Sequence, residues 1–221
     1  MTFEEAKLYL LMNGSGTWNE HGDPLVQDDG FLGCLRPYQG LDDDNFHNVM
    51  EALFVACHHF DESSSVDKDL VSSIWYMCYL ARLWGTDPKG MLQRNNLITT
   101  RDVARLANWI DVIEYSALQL LGSNNWSEAI NTYAGYVCEY GAGSNAKSFV
   151  PLFVSAIDDN TERDPSTIAR ALGKMGPLAS DAVPTLKKAA SQTYRVAEPV
   201  DRVTTEIQTT IREAIARIDL Q

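Results

Sequence analysis

Hallmarks of membrane and secreted proteins are missing from this 221-residue sequence. No apolar run approaches the roughly 18 uncharged residues that a membrane helix requires. The longest candidate, residues 74–83, is short and contains Arg82. The N-terminal residues lack the basic start and the apolar stretch of a signal peptide. The sequence therefore predicts a cytoplasmic protein that has no membrane partner.

Cysteines are few and widely spaced. They are Cys34, Cys57, Cys78 and Cys138, and no pair has the C-x-x-C spacing of a zinc site or a redox motif. So small a number in a chain of this length does not make a disulfide scaffold. We predict reduced thiols, most of them buried as small hydrophobic residues.

Motifs of catalysis and cofactor binding are also missing. The sequence has no H-E-x-x-H, no G-x-S-x-G, no Walker loop and no G-x-G-x-x-G. The best metal candidate is Cys57-His58-His59, but adjacent histidines point about 100° apart on a helix and do not readily share one ion. His47 and Glu51 have the i,i+4 spacing of a contact on a helix surface. We therefore predict that the protein is not an enzyme and holds no metal or cofactor.

Positive charge is scarce in the first third of the chain. The whole sequence has a formal net charge of -12, and residues 1–69 hold fourteen Asp and Glu against three Lys and Arg, a net of -11. Residues 70–221 hold sixteen against fifteen, a net of -1. Such a field attracts basic proteins and repels nucleic acid. The alternative is that the acidity only keeps the protein soluble.

The basic residues of the last third are spread through a nearly neutral region, so we predict no nucleic-acid partner.

Hydrophobic periodicity predicts helices along most of the chain. They cover residues 3–12, 42–60, 66–84, 101–121, 127–140, 146–157, 165–175, 182–190 and 203–218. Thr99 and Asp102 form a possible capping box for the helix 101–121. The helix 66–84 is apolar on most sides, so we expect it to be central. Its aromatic residues are expected in the core: Trp75, Tyr76, Tyr79 and Trp84. Convincing alternating stretches are absent, so the predicted fold class is all-α.

Two segments near the C-terminus repeat each other. Residues 150–152 (Val-Pro-Leu) match residues 183–186 (Val-Pro-Thr-Leu), which places Pro151 and Pro184 each in the first turn of a helix. Residues 168–176 and 211–218 resemble the second helices of HEAT repeats, with small Ala and Gly residues that let neighbouring helices approach closely. The resemblance covers about residues 147–219 and implies an α-solenoid.

The predicted architecture follows from that resemblance. It is an irregular α-solenoid of antiparallel helix pairs, with HEAT-like C-terminal repeats and a loop-rich acidic N-terminal cap. Repeat units bury a core only against their neighbours, so the preceding helices are expected to stack onto the array. We divide the chain into an acidic N-terminal subdomain, residues 1–97, and HEAT-like repeats, residues 98–221, as parts of one continuous fold.

A distinctive segment, residues 28–41, precedes the first strong helix. It resembles openings of helical proteins found beside bacterial toxins. Its apolar residues are expected to anchor a non-repetitive cap on the helix 42–60: Phe31, Leu32, Leu35, Tyr38 and Leu41. Arg36 is one of the three cations in the acidic third, and we expect it to pair with nearby carboxylates.

The sequence as a whole predicts a protein that acts by binding. The resemblance to helical toxin-immunity proteins implies an inhibitor that neutralises a basic, nuclease-type bacterial toxin domain, with fast association steered by charge. Trp18 and Tyr38 are candidate anchors, because interface hot spots favour Trp and Tyr. The acidic residues expected to contact the partner are Asp28, Asp29, Asp42, Asp43, Asp44, Asp61 and Glu62.

Two other hypotheses stay open at this point. One is a HEAT-like adaptor or scaffold that binds a protein partner on the concave face of its C-terminal helices. The other is an enzyme of a HEAT-like class, which would need a pocket with convergent polar groups and a carboxylate of perturbed pKa.

Overall fold

The computed structural model describes residues 1–14, 17–18, 24–25, 28–62, 65–144, 146–159, 164–194 and 200–219. Of these, residues 17–18, 24–25, 61–62, 146, 159 and 200–203 are described in their backbone alone. The helices are α1 (Phe3–Asn13), α2 (Asp43–Glu62), α3 (Lys68–Ala81), α4 (Met91–Arg94), α5 (Thr100–Ser123), α6 (Trp126–Tyr140), α7 (Ala146–Asp159), α8 (Ser166–Met175), α9 (Val183–Ala189) and α10 (Val200–Asp219). A π-helical turn, Arg82–Thr86, extends α3, and a 3₁₀ segment, Gly176–Ala182, precedes α9.

The predicted all-α class is confirmed. Within the described part of the chain, regular extended structure is limited to β1 (Thr17–Trp18) and β2 (Pro24–Leu25), which pair antiparallel with each other. None of the helices in that part is both long enough and apolar enough to cross a bilayer.

Side-chain caps set where several helices begin. The Thr99 hydroxyl accepts a hydrogen bond from the Asp102 backbone N–H at 3.1 Å, and it donates to the Asp102 carboxylate at 2.8 Å. The N-cap at Thr99 is therefore confirmed, but the Asp102 carboxylate accepts from the Thr99 hydroxyl, where the predicted capping box has it accept from the Thr99 backbone N–H. α6 is capped by Asn125, whose side chain accepts from the Glu128 N–H at 3.3 Å, so this helix begins one residue before the predicted range 127–140. Each cap satisfies a backbone donor that a helix start leaves free.

The chain divides into two compact units, Met1–Asn124 and Asn125–Gln221. The sequence-based boundary at residues 97 and 98 lies inside the first unit, because α5 packs against α2 and α3. In this unit α1 also packs on α2 and α3. The apolar residues of α2 that recur at spacings of three and four are all buried: Phe46, Val49, Met50, Leu53, Phe54, Cys57 and Phe60. Burying each larger side chain stabilises the fold by roughly 1.5–3 kcal/mol.

Segment 28–41 packs against the start of α2 without forming a helix. Phe31, Leu32 and Leu35 are buried, as predicted for a capping segment. The Asn13 side chain, at the end of α1, accepts a hydrogen bond from the Phe31 N–H at 2.6 Å. The Asn45 side chain donates to the Asp29 carbonyl at 2.8 Å. These two amides hold the segment to both helices.

The second unit contains α6 to α10. α8 packs against both α6 and α10, while α7 packs against α9. α8 and α10 approach closely at Gly173, where a Cβ atom would lie 2.9 Å from the Ala214 Cα. The predicted close approach at small residues is therefore confirmed. Pro184 lies in the first turn of α9 as predicted.

The prediction for Pro151 is wrong. This residue lies inside α7, because the helix begins at Ala146, more than one turn earlier. A proline at that position lacks the N–H that would donate to the carbonyl four residues before it. The two matched prolines therefore occupy different positions in their helices.

Candidate functional site

The acidic residues at the start of α2 have different environments. The Asp42 carboxylate is exposed and accepts a hydrogen bond from the Asp44 N–H at 3.0 Å, which caps the helix. The Asp43 carboxylate pairs with the Arg105 guanidinium of α5. Asp43 and Asp44 are both half-buried. Of these three, Asp42 is the carboxylate most open to an incoming partner.

Asp28 and Asp29 lie beside this helix start. Both are exposed, and the hydrogen bond from Asn45 to the Asp29 carbonyl brings their segment to the first turn of α2. Burial, reinforced by the charges of Asp29 and Asp42, raises the pKa of Tyr9. The negative charges of Asp29 and Asp42 therefore both disfavour ionisation of the Tyr9 hydroxyl. Asp28, Asp29 and Asp42 form what we call the acidic surface.

Of the two predicted anchors, Tyr38 and Trp18, the structure describes the side chain of Tyr38 alone. Tyr38 is half-buried, and its hydroxyl donates a hydrogen bond to the Asp102 carboxylate at 3.0 Å. Burial and that hydrogen bond raise the pKa of Tyr38 to about 12. Its hydroxyl is thus engaged within the chain. The side chains of Trp18, Asp61 and Glu62 lie outside the described residues, so their predicted roles stay predictions.

Two further expectations for the acidic third are wrong. The Arg36 guanidinium lies over the Trp84 ring, 5.5 Å from its centre, a cation–π contact where pairing with a carboxylate was predicted. His47 is buried, not on a helix surface. Burial lowers the pKa of His47 to about 4, although the charge of Asp44 opposes that shift. His47 is therefore neutral near pH 7.

The prediction that the aromatic residues of α3 lie in the core is also wrong. The buried face of this helix is formed by Leu70, Ser73, Ile74, Met77, Cys78 and Ala81. Because an α-helix turns 100° per residue, that spacing directs the next residues away from the core. Trp75 is 71% exposed. Tyr76, Tyr79 and Leu83 are exposed beside it, and Trp84 is half-buried.

Trp75 forms one wall of a groove between α3 and α5. The groove has a volume of about 490 Å³. Its lining is mostly apolar and comes from both helices: Val71, Ile74, Trp75, Cys78, Arg82, Glu114, Ala117, Leu118, Leu121 and Gly122. Leu118, opposite on α5, is 63% exposed. Exposed apolar surface of this kind, rimmed by charge, is typical of an interaction site.

An ion cluster closes one end of the groove. The Arg82 guanidinium donates two hydrogen bonds to the Glu114 carboxylate, at 2.8 and 2.9 Å, and one to the Asp111 carboxylate at 3.0 Å. The hydrogen bond with Glu114 contributes most to the raised pKa of Arg82. Two carboxylates share one guanidinium, so the cluster has a net charge of -1.

The groove contains one thiol, that of Cys78. Burial raises the pKa of Cys78 to about 12, so the thiol is protonated near pH 7 and is a poor nucleophile. The cysteines are free, three of them buried and Cys138 half-buried, which confirms the predicted thiols. No group of three or more His, Cys, Asp or Glu residues suited to a metal occurs in the part of the chain that the structure describes.

The sequence carries a signal for this groove in a second apolar stripe on α3. Residues 70, 74, 77 and 81 complete one buried stripe on α3, and a second apolar stripe at residues 75, 76, 79 and 83 remains. A helix of an ordinary globular protein needs only one such stripe for its core.

Comparison of the chain with protein-family models, with curated proteins and with solved structures gives no match.

Proposed function

We propose that this protein is an immunity-type inhibitor that binds and neutralises a basic, nuclease-type domain of a bacterial toxin in the cytoplasm. The observation that carries the proposal is the concentration of negative charge. The unit Met1–Asn124 holds eighteen Asp and Glu against eight Lys and Arg, a net of -10. The unit Asn125–Gln221 holds twelve against ten, a net of -2. A basic partner is therefore steered toward the first unit.

The acidic surface is the contact that we propose for this partner. Asp28, Asp29 and Asp42 are exposed, and Asn45 joins their two segments, because its side chain donates to the Asp29 carbonyl and its backbone N–H donates to the Asp42 carbonyl. Asp43 and Asp44 contribute to the field, although Asp43 already pairs with Arg105. Charged side chains at the edge of an interface mainly raise the association rate and make it depend on salt.

We further propose that the second unit is a short HEAT-like array. Support for the array comes from alternation along the chain: α8 packs between α6 and α10, and α7 packs against α9. In a two-layer helical repeat, each helix contacts the helix two positions later. The small residues Gly173 and Ala214 at the α8–α10 contact agree with this arrangement.

That layered packing favours a second candidate function, an adaptor whose C-terminal helices bind a protein partner. On this account the nearly neutral second unit carries the interface, and charge in the first unit has little effect on affinity. The two functions therefore predict different effects of charge reversal. If the protein is an inhibitor of a basic domain, charge reversal in the first unit weakens binding. If it is an adaptor, charge reversal in the second unit does so.

The test first asks whether a toxin domain is encoded beside the gene of this chain, and it then uses that domain. We expect co-expression of the full chain to protect bacteria from that domain and the two purified proteins to associate rapidly at low salt. The variant Asp28→Lys, Asp29→Lys, Asp42→Asn removes the acidic surface, and its asparagine keeps a capping acceptor at the start of α2. We expect its association rate to fall about tenfold or more and to lose most of its salt dependence.

A matched control changes the net charge equally at exposed residues of the second unit: Asp181→Lys, Glu213→Lys and Asp219→Asn. We expect this control to bind at nearly the original rate. A control that weakens binding as much as the test variant would favour the adaptor. A gene neighbourhood without a toxin domain, or a neighbouring domain that the chain does not bind, would contradict the proposed function.

A further inference from the structure

We propose that the groove between α3 and α5 binds an amphipathic helix of the partner, with its apolar face on the groove and a lysine or arginine beside the ion cluster. This inference rests on the proposed function only in taking the partner to be basic. The contact is separate from the acidic surface, since it is formed by other helices and by apolar side chains.

The groove exposes apolar side chains to water. Trp75 and Leu118 are 71% and 63% exposed and face the groove from α3 and α5. Between them lie Ile74, Ala117 and Cys78, whose protonated thiol behaves as a small apolar group. A partner that covers these side chains removes them from water, which stabilises the complex.

The shape of the groove suits a bound helix. Both walls are helices, and the α3 wall extends from Val71 to Arg82, a length of about 16 Å at 1.5 Å per residue. That length matches about three turns of a bound helix. The lining residues of α3 recur at spacings of three and four, the pattern that receives the apolar face of a helix. The floor is aliphatic, with Trp75 as the single aromatic residue of the lining, which favours a helix over a proline-rich segment.

The negative charge at one end of the groove complements a basic helix. The Asp111 side chain is 72% exposed, and it shares Arg82 with Glu114, so a second cation is attracted to this end of the groove. The surrounding unit has a net charge of -10. A second copy of this chain would bring two such units together, and their repulsion opposes it. A basic helix neutralises the same charge.

The test uses the full chain and a fluorescent synthetic peptide of leucine and lysine, patterned so that leucine occupies one face of a three-turn helix. A peptide of the same composition with that pattern scrambled, and a leucine and glutamate peptide with the pattern kept, complete the set. Binding is measured by fluorescence anisotropy. We expect the patterned lysine peptide to bind more tightly than either of the others.

Substitutions of single groove residues distinguish the contribution of apolar contacts to peptide binding from that of charge. We expect Trp75→Ala and Leu118→Ala each to weaken binding of the patterned peptide about tenfold or more, as for anchors at the centre of an interface. Leu178→Ala, at a 45% exposed leucine of the second unit, is the matched control and should leave affinity unchanged. Asp111→Asn should weaken the lysine peptide more than a neutral leucine and glutamine peptide. Since Trp75 and Leu118 are exposed, the unfolding midpoint of each variant should stay close to that of the original chain.

Several results would overturn the inference. They are equal binding of the scrambled peptide, no binding of the patterned peptide, and equal losses for Leu178→Ala and Leu118→Ala. Concentration-dependent self-association that Trp75→Ala abolishes would assign the groove to a second copy of the chain instead.

The proposal that the groove binds a helix and the proposed function can be refuted independently of each other. If Trp75→Ala and Leu118→Ala still neutralise the toxin domain with unchanged affinity, the groove is not the partner's contact and the proposed function survives. If the chain binds no toxin domain but binds the patterned peptide through Trp75, the proposed function fails and the groove remains a helix-binding site.

Discussion

Adding one methyl group to α8 should have the opposite effect from adding it to α6. Gly173 lies where α8 meets α10, and a Cβ atom there would be 2.9 Å from the Ala214 Cα and 3.1 Å from the Ala214 Cβ. Gly135 lies on an exposed part of α6, with nothing within 4 Å of its Cβ position. Both residues belong to the second unit, so Gly173→Ala and Gly135→Ala form a matched pair.

The sizes of the two effects follow from helix propensity and packing. Alanine in place of glycine inside a helix stabilises by roughly 0.5–1 kcal/mol. At Gly173 that gain is opposed, because carbon atoms normally approach to about 3.5–4.0 Å and overpacking costs about 1–3 kcal/mol. The contact is with backbone, which does not rotate away. We expect Gly173→Ala to lower the free energy of unfolding by about 1–2 kcal/mol, and Gly135→Ala to raise it by about 0.5–1 kcal/mol.

The assay is urea unfolding followed by circular dichroism, with extrapolation to water. The original chain and both variants are compared under one condition. Equal stabilisation by the two substitutions would refute the close approach of α8 and α10. Destabilisation by Gly135→Ala would instead refute its placement on an open helix surface.

Two more predictions concern buried polar groups of the first unit. The pKa of His47 is about 4 in the folded protein and about 6.5 when unfolded, so the unfolded state binds more protons between these values. Stability should therefore fall by up to about 3 kcal/mol as the pH drops from 6.5 to 4. In urea unfolding, the free energy of unfolding of His47→Gln should depend less on pH over that range. If His47→Gln shows the same dependence on pH as the original chain, the burial of this imidazole is contradicted. Asn13→Ala should lower the free energy of unfolding by about 1–3 kcal/mol, because it leaves the buried Phe31 N–H without its acceptor. A cost below about 0.5 kcal/mol, the lower end for a net hydrogen bond, would show that this hydrogen bond does not hold segment 28–41.

The helices were predictable because their signals are local. The apolar face of α2, the cap at Thr99 and the proline at the start of α9 each depend on residues a few positions apart. Such short-range patterns need no knowledge of how helices pack. The same holds for the excess of acidic residues in the first third, which is a count along the chain.

The groove was harder to predict because it depends on which neighbour covers each face of α3. Both stripes of that helix are apolar, so periodicity alone does not say that Trp75 faces water and Met77 the core. Tyr38 illustrates the same limit. Its partner Asp102 lies 64 residues later in the chain, so no local pattern predicts that its hydroxyl is already engaged.

Stopped-flow association at low and high salt, with a toxin domain encoded beside the gene, tests whether this protein binds a basic partner through its first unit. We predict that Asp28→Lys, Asp29→Lys, Asp42→Asn slows association and removes most of its salt dependence. The charge-matched control in the second unit should associate like the original chain. Equal association rates for all three proteins at both salt concentrations would contradict the account.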